Sequence, residues 1–165
     1  MPTSAQQSVV RLGMIGAGMV GQLAHLANFK KIDGCEVVAL AELRPELGQA
    51  AADRFGIPKV YDSHHALLDA GDVDAVVVVT RRPATGPIVL DALAHGCHVL
   101  SEKPMAHTLA QANVLADAAD AARRHYQVGF MKRHDAGLLQ GKLLVEAARA
   151  DGRWGRLISA RCYSH

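Results

Sequence analysis

Aromatic side chains are scarce, with Phe, Tyr and Trp making up 4% of the 165 residues. The basic stretches Arg123-Arg124-His125 and Lys132-Arg133-His134 therefore lack the interleaved aromatics on which single-stranded nucleic acid would stack. Formal net charge is only +2, from 18 basic and 16 acidic side chains, so nothing electrostatic points to a nucleic acid or a membrane surface as partner. Cysteine is sparse as well. Cys35, Cys97 and Cys162 lie far apart and form no CxxC, and an odd count suits reduced thiols better than a disulfide framework. Long hydrophobic runs are missing: the longest, residues 73–79, is broken by Asp74 and is far too short to cross a bilayer. The first eight residues are polar and show no basic segment before an apolar core, as a signal peptide would. A soluble cytoplasmic protein is expected.

Several chemical signatures are absent too. Neither GxSxG nor GxxxxGK[ST] occurs, which argues against an α/β-hydrolase and a P-loop ATPase. No HxxxH and no Cys/His cluster with ligand spacing is present. His64 and His65 are adjacent, so on a helix they project about 100° apart and make a poor metal pair. His25, His95 and His107 fall on helices or their ends, His98 in a strand, and no metal site is expected.

What is there is a folding sequence, 50% hydrophobic and 21% charged. Apolar runs of strand length alternate with segments of helical period. Strands are expected over 9–15, 36–41, 59–61, 74–80, 97–101 and 126–129, with Val76 to Val79 marking burial on both faces. Helices are expected over 19–31, 46–55 behind Pro45, 84–95 and 135–150, with another capped by Asp62 or Ser63. Thr108 and Gln111 make a capping-box pattern before Leu109, Ala112, Ala116 and Ala119. This alternation predicts an α/β fold with a doubly wound parallel sheet, the Rossmann arrangement. After Asp151-Gly152, residues 156–163 read as one more strand, either at the edge of the same sheet or opening a second domain.

Gly16-Ala17-Gly18-Met19-Val20-Gly21 follows the first strand directly and opens the first helix. In that setting GxGxxG has a physical reading. The first glycine makes a tight turn, the second lets the backbone approach a pyrophosphate, and the third packs helix on strand. Gly16, Gly18 and the Met19–Val20 backbone would hold the diphosphate at a helix start carrying partial positive charge. Glu42 ends the second strand 21 residues after Gly21, where a carboxylate accepts from both ribose hydroxyls of a dinucleotide. Its charge would repel a 2′-phosphate, so NAD is expected over NADP, although Arg44 offers that phosphate a partner.

A later strand ends in Glu102-Lys103-Pro104, at the sheet edge where open α/β folds bind ligands. Together with the glycine motif, Thr80 at the end of the fourth strand, and Val128-Gly129-Phe130, this order resembles the Gfo/Idh/MocA oxidoreductase family over residues 9–164. The resemblance implies an NAD-dependent oxidoreductase acting on a CH–OH group of a sugar or cyclitol. By it, Thr80 lines the cofactor cleft, Glu102 contacts the cofactor's ribose region, and Lys103 lies between nicotinamide and substrate as the catalytic residue. A cation there is sensible, because alcohol oxidation builds negative charge on oxygen as the proton leaves.

The sequence departs from the family at several positions and, more largely, in length. Thr80-Arg81-Arg82-Pro83 replaces the family's Thr-Pro-Asn, the His that commonly ends that segment is missing, and Met131 stands where Asn is frequent. Arg81 and Arg82 either meet the cofactor or an acidic substrate, or are solvated charges at a helix start. The family's second domain supplies the substrate pocket, the oligomer surface and usually the acid/base. The expected layout is therefore a nucleotide-binding domain over 1–130, with 131–165 a connecting helix and first strand of a truncated second domain. The rival reading is a non-catalytic dinucleotide-binding fragment lacking the substrate domain, and the chain by itself is expected to bind NAD weakly and to turn over sugars negligibly. A methyltransferase using S-adenosylmethionine is opposed by Gly21 and by Glu102-Lys103-Pro104.

Overall fold

Consecutive valines set the centre of the sheet. In β4 (Ala75–Val78), Val76 and Val78 point into one apolar layer and Val77 into the other, as a strand covered on both faces requires. The structure is a computed structural model describing residues 9–152 and 155–161. The chain divides into two units, Met1–Gly129 and Phe130–His165.

In the first unit β4 joins β1 (Val10–Ile15), β2 (Cys35–Ala41), β3 (Lys59–Tyr61), β5 (His98–Glu102) and β6 (Tyr126–Gly129). All neighbours run parallel, in the order β3-β2-β1-β4-β5-β6. The order reverses direction between β1 and β4, which opens a crevice at their carboxyl ends. One face is covered by Leu67, Leu68, Val89, Leu93 and Leu115, from α3 (His64–Asp69), α4 (Arg82–Ala94) and α5 (Leu109–Ala122). The other is covered by Leu26 of a π-helical segment (Gly21–Leu26) and by Ala51 and Ala52 of α2 (Pro45–Phe55). The doubly wound sheet read from the alternation is the fold.

The caps follow the sequence. Ser63 Oγ accepts from the Ala66 amide at 3.3 Å, and Thr108 Oγ1 from the Gln111 amide at 3.1 Å. Two helices differ from expectation. α4 begins at Arg82 rather than at residue 84, because Pro83 sits in the first turn, where its missing N–H loses no helical bond. The first helix is not regular: Ala27 N–H donates to the Gln22 carbonyl five residues back, and the π turn passes into a short α1 (Ala27–Phe29).

At the starting edge of the strands, the Asp74 carboxylate takes the Arg11 amide at 2.8 Å and the Arg11 guanidinium at 2.7 and 3.1 Å. Arg11 and Asp74 thereby tie the two central strands together at the end away from the crevice.

The second unit holds a 3₁₀ turn (Met131–His134) and α6 (Ala136–Asp151), whose first amides, Gly137 and Leu138, donate to Asp135 Oδ1. The strand expected over 156–163 is not seen in its described part: residues 155–161 carry no strand. A strand exists only as a ladder with a neighbour, and none pairs with this segment among the described residues. Cys162 and Tyr163 lie outside the described residues. No described helix is long and apolar enough to cross a membrane.

Candidate functional site

The three loop glycines are required for different reasons. Gly16 has φ +98°, and a Cβ there would lie 2.2 Å from the Val79 carbonyl oxygen, so only glycine lets β1 turn against the end of β4. A Cβ at Gly21 would lie 2.6 Å from the Gly16 carbonyl oxygen, so this glycine lets the helix close onto the loop. At Gly18 a Cβ would meet nothing within 4 Å. The fold does not demand that glycine, and the space above it is free for a ligand. Met19 and Val20 at the helix start are 75% and 42% exposed.

Glu42 is buried at the carboxyl end of β2 and anchored on both sides. Oε2 accepts from the Ala17 amide at 2.9 Å, and Oε1 from Arg44 Nε at 2.8 Å and the Arg44 amide at 3.2 Å. Burial pushes its carboxyl upward, but the hydrogen bonds from the Arg44 guanidinium and the Ala17 and Arg44 amides outweigh this and hold it below its ordinary value. The expectation of a carboxylate free for ribose hydroxyls is thus refined. Glu42 is charged and oriented, but one oxygen is shared with a guanidinium that is itself exposed.

A cleft of about 400 Å³ opens at the carboxyl ends of β1 to β4; Gly18, Met19 and Val20, expected to hold the diphosphate, are not among its lining residues. Gly16, Glu42, Arg44 and Thr80 all line it, as do Leu43, Asp62, Ser63 and Arg81. Thr80 Oγ1 lies 3.2 Å from Thr85 Oγ1, which fixes its side chain at the switch point. Leu43 is 82% exposed and offers an apolar wall suited to a flat ring. Arg81 borders the cleft as the residue before α4, while Arg82 lies in the helix itself.

Glu102 and Lys103 do not line this cleft; they stand at the end of β5. Glu102, which the family resemblance assigns to the cofactor's ribose region, has Oε1 2.9 Å from His25 Nε2, and its Oε2 accepts the Lys103 amide at 3.2 Å. The Lys103 side chain is exposed, with no hydrogen-bonded or ionic partner for its ammonium among the described residues. The sequence places His25 on a helix and gives it no role; its spacing four positions after Gly21 is the available clue.

The paired histidines are not splayed apart as their adjacency on a helix predicts. His64 and His65 occupy the first turn of α3, where their rings converge to a centroid distance of 3.9 Å rather than splaying apart. With Asp91 they bring three ligand-type atoms within 4.8 Å of one another, and His64 Nε2 is hydrogen-bonded to Asp91 Oδ2 at 3.0 Å.

A model of an oxidoreductase family with an NAD-binding Rossmann fold matches residues 10–130. An inositol 2-dehydrogenase of Pseudomonas fluorescens is 38% identical over 144 residues, 85% of this chain and 42% of that protein. The structure of scyllo-inositol dehydrogenase from Lactobacillus casei with bound NAD(H) and scyllo-inositol superposes with a TM-score of 0.81. It is 25% identical and covers 86% of this chain and 42% of that one. A 3-ketoreductase from Actinomadura kijaniata in complex with TDP-benzene and NADP gives 0.79 at 28% identity, covering 84% and 44%. The chain spans about 42% of the length of the curated relatives it matches.

Proposed function

This chain belongs to the Gfo/Idh/MocA oxidoreductase family, defined by an NAD-binding Rossmann fold, and from that premise we propose that its cleft binds NAD in preference to NADP and that Lys103 serves oxidation of a CH–OH group on a cyclitol or sugar. The observation that carries the reading is the buried Glu42 carboxylate, pinned to the glycine loop through the Ala17 amide at the mouth of the cleft. The residues present fit a dinucleotide. The room above Gly18 suits a diphosphate against the start of the helix, Glu42 suits the adenosine ribose, and Leu43 suits the adenine face.

Bound NAD would supply the hydride acceptor at nicotinamide C4. The chain's own residues do the rest. Thr80 and Gly16 shape the floor of the cleft at the switch point. Lys103, exposed at the end of β5, would place its ammonium by the substrate hydroxyl and stabilise oxygen as its proton leaves. The cyclitol class rests on the inositol dehydrogenases among the relatives.

Preference for NAD depends on Glu42 keeping its charge toward the ribose, against the counter-charge of Arg44. Calorimetric titration of the chain with NAD and NADP tests the proposal. Binding is expected to favour NAD and to disappear in Glu42→Ala. Failure of a folded chain to bind either dinucleotide would overturn it.

A further inference from the structure

One ionisable pair in the first unit lies outside the cleft lining and links the helical segment after the glycine loop to the carboxyl end of β5. His25 stands in the π-helical segment that follows the glycine loop, and Glu102 ends β5 immediately before Lys103. They are 77 residues apart in sequence, 2.9 Å apart between Nε2 and Oε1, and their side chains are 12% and 22% exposed. Phe29 stacks along the His25 ring, 6.2 Å between centroids at 13°, and limits its rotation. The π turn widens the helix where His25 sits, which re-aims the side chains around it relative to a regular helix.

An enclosed imidazole and carboxylate each lose hydration, so such a pair is a poor way to gain stability when apolar residues would fill the same space. Its return is orientation. The other Glu102 oxygen already takes the Lys103 amide, so fixing the carboxylate also fixes the backbone from which Lys103 projects.

We propose that His25 is a positioning residue that holds Glu102 through Nε2, locking the Lys103-bearing strand end to the helix that opens at the glycine loop. Cofactor affinity then depends on His25 through Glu102. The inference rests on the reading of the cleft as an NAD site.

A double-mutant cycle on NAD affinity tests it by calorimetry. His25→Leu and Glu102→Gln are each expected to weaken binding about tenfold, and the double variant no more than the worse single, because coupled residues are not additive. His25→Gln, whose amide reaches where Nε2 lies, should stay within about twofold, whereas the shorter His25→Asn should behave like His25→Leu. In the cofactor-free chain, the Nε2 resonance of His25 should shift on Glu102→Gln. Multiplied losses of about a hundredfold in the double variant would mean independent roles and overturn the proposal. So would unchanged affinity in His25→Leu, or an unmoved Nε2 resonance. If the unaltered chain binds no NAD, the functional reading falls and takes this inference with it. If it binds and the His25 variants match it, this inference alone falls.

Discussion

Replacing Gly18 by Ala separates what the glycine loop does for folding from what it does for a ligand. The new Cβ meets no atom within 4 Å, and Gly18 has no left-handed φ, so the folded chain accommodates it. Losing glycine's freedom in the unfolded chain favours the variant by about 0.4–1 kcal/mol. Alanine is the poorer residue at a helix start by roughly 0.5–1 kcal/mol, so the terms nearly cancel. Thermal unfolding should therefore move by no more than about 4 °C.

Gly16→Ala is the control. Its φ of +98° carries strain of about 1–3 kcal/mol, and the 2.2 Å approach to the Val79 carbonyl forces a backbone shift besides. Its Tm should fall by at least about 5 °C. Calorimetry with NAD should then show Gly18→Ala weakened at least about tenfold, since the methyl group fills the space assigned to the diphosphate. A stable Gly18→Ala that binds NAD as tightly as the unaltered chain would refute that assignment.

Glu42→Ala leaves the Ala17 amide without its acceptor and should cost about 1–3 kcal/mol in denaturant unfolding; no loss would mean water replaces the carboxylate there. Arg44→Ala removes the exposed partner of Glu42, so stability should change by no more than about 1 kcal/mol while the NAD-to-NADP affinity ratio rises. An unchanged ratio in paired titrations would count against Arg44 as the phosphate partner. Glu42 and Asp74 both titrate below their ordinary values of 4.5 and 3.8 when folded, Asp74 chiefly through its hydrogen bonds from Arg11. Each therefore contributes stability above its ordinary value that is lost as pH falls through the lowered one. Asp74→Asn should flatten the acid limb of stability against pH, and an unaltered limb would show that the pair does not contribute. Lys103→Ala should change stability by less than about 0.5 kcal/mol, because the side chain is exposed and its ammonium unpartnered among the described residues. A larger loss of Tm would assign Lys103 a structural role.

The parts of this chain that depend on backbone periodicity were legible in one dimension. Val76 to Val79 announced a strand buried on both faces, and Gly16, Glu42 and Thr80 fell at strand ends whose common edge follows from the parallel order. The parts that depend on side chains meeting across the fold were not. Nothing local tells that Glu42 is shared between the Ala17 amide and Arg44, or that Glu102 faces His25 across 77 residues. Helical spacing sets the directions in which the His64 and His65 Cβ atoms leave the backbone, but the side-chain torsions that swing the two rings together are not legible in it. The strand over 156–163 was read from alternation alone, and alternation does not provide the neighbour a ladder needs.

The tie between Arg11 and Asp74 has a practical consequence for anyone reshaping this domain. It grips the sheet at the edge where strands begin, while Leu43, Asp62 and Arg81 stand at the edge where they finish. Tolerance to sequence change should then be lopsided along the strand axis. A library randomised at those three rim positions explores new ligands on an intact platform. The same number of changes around the Arg11 clamp would be spent on restoring the platform itself.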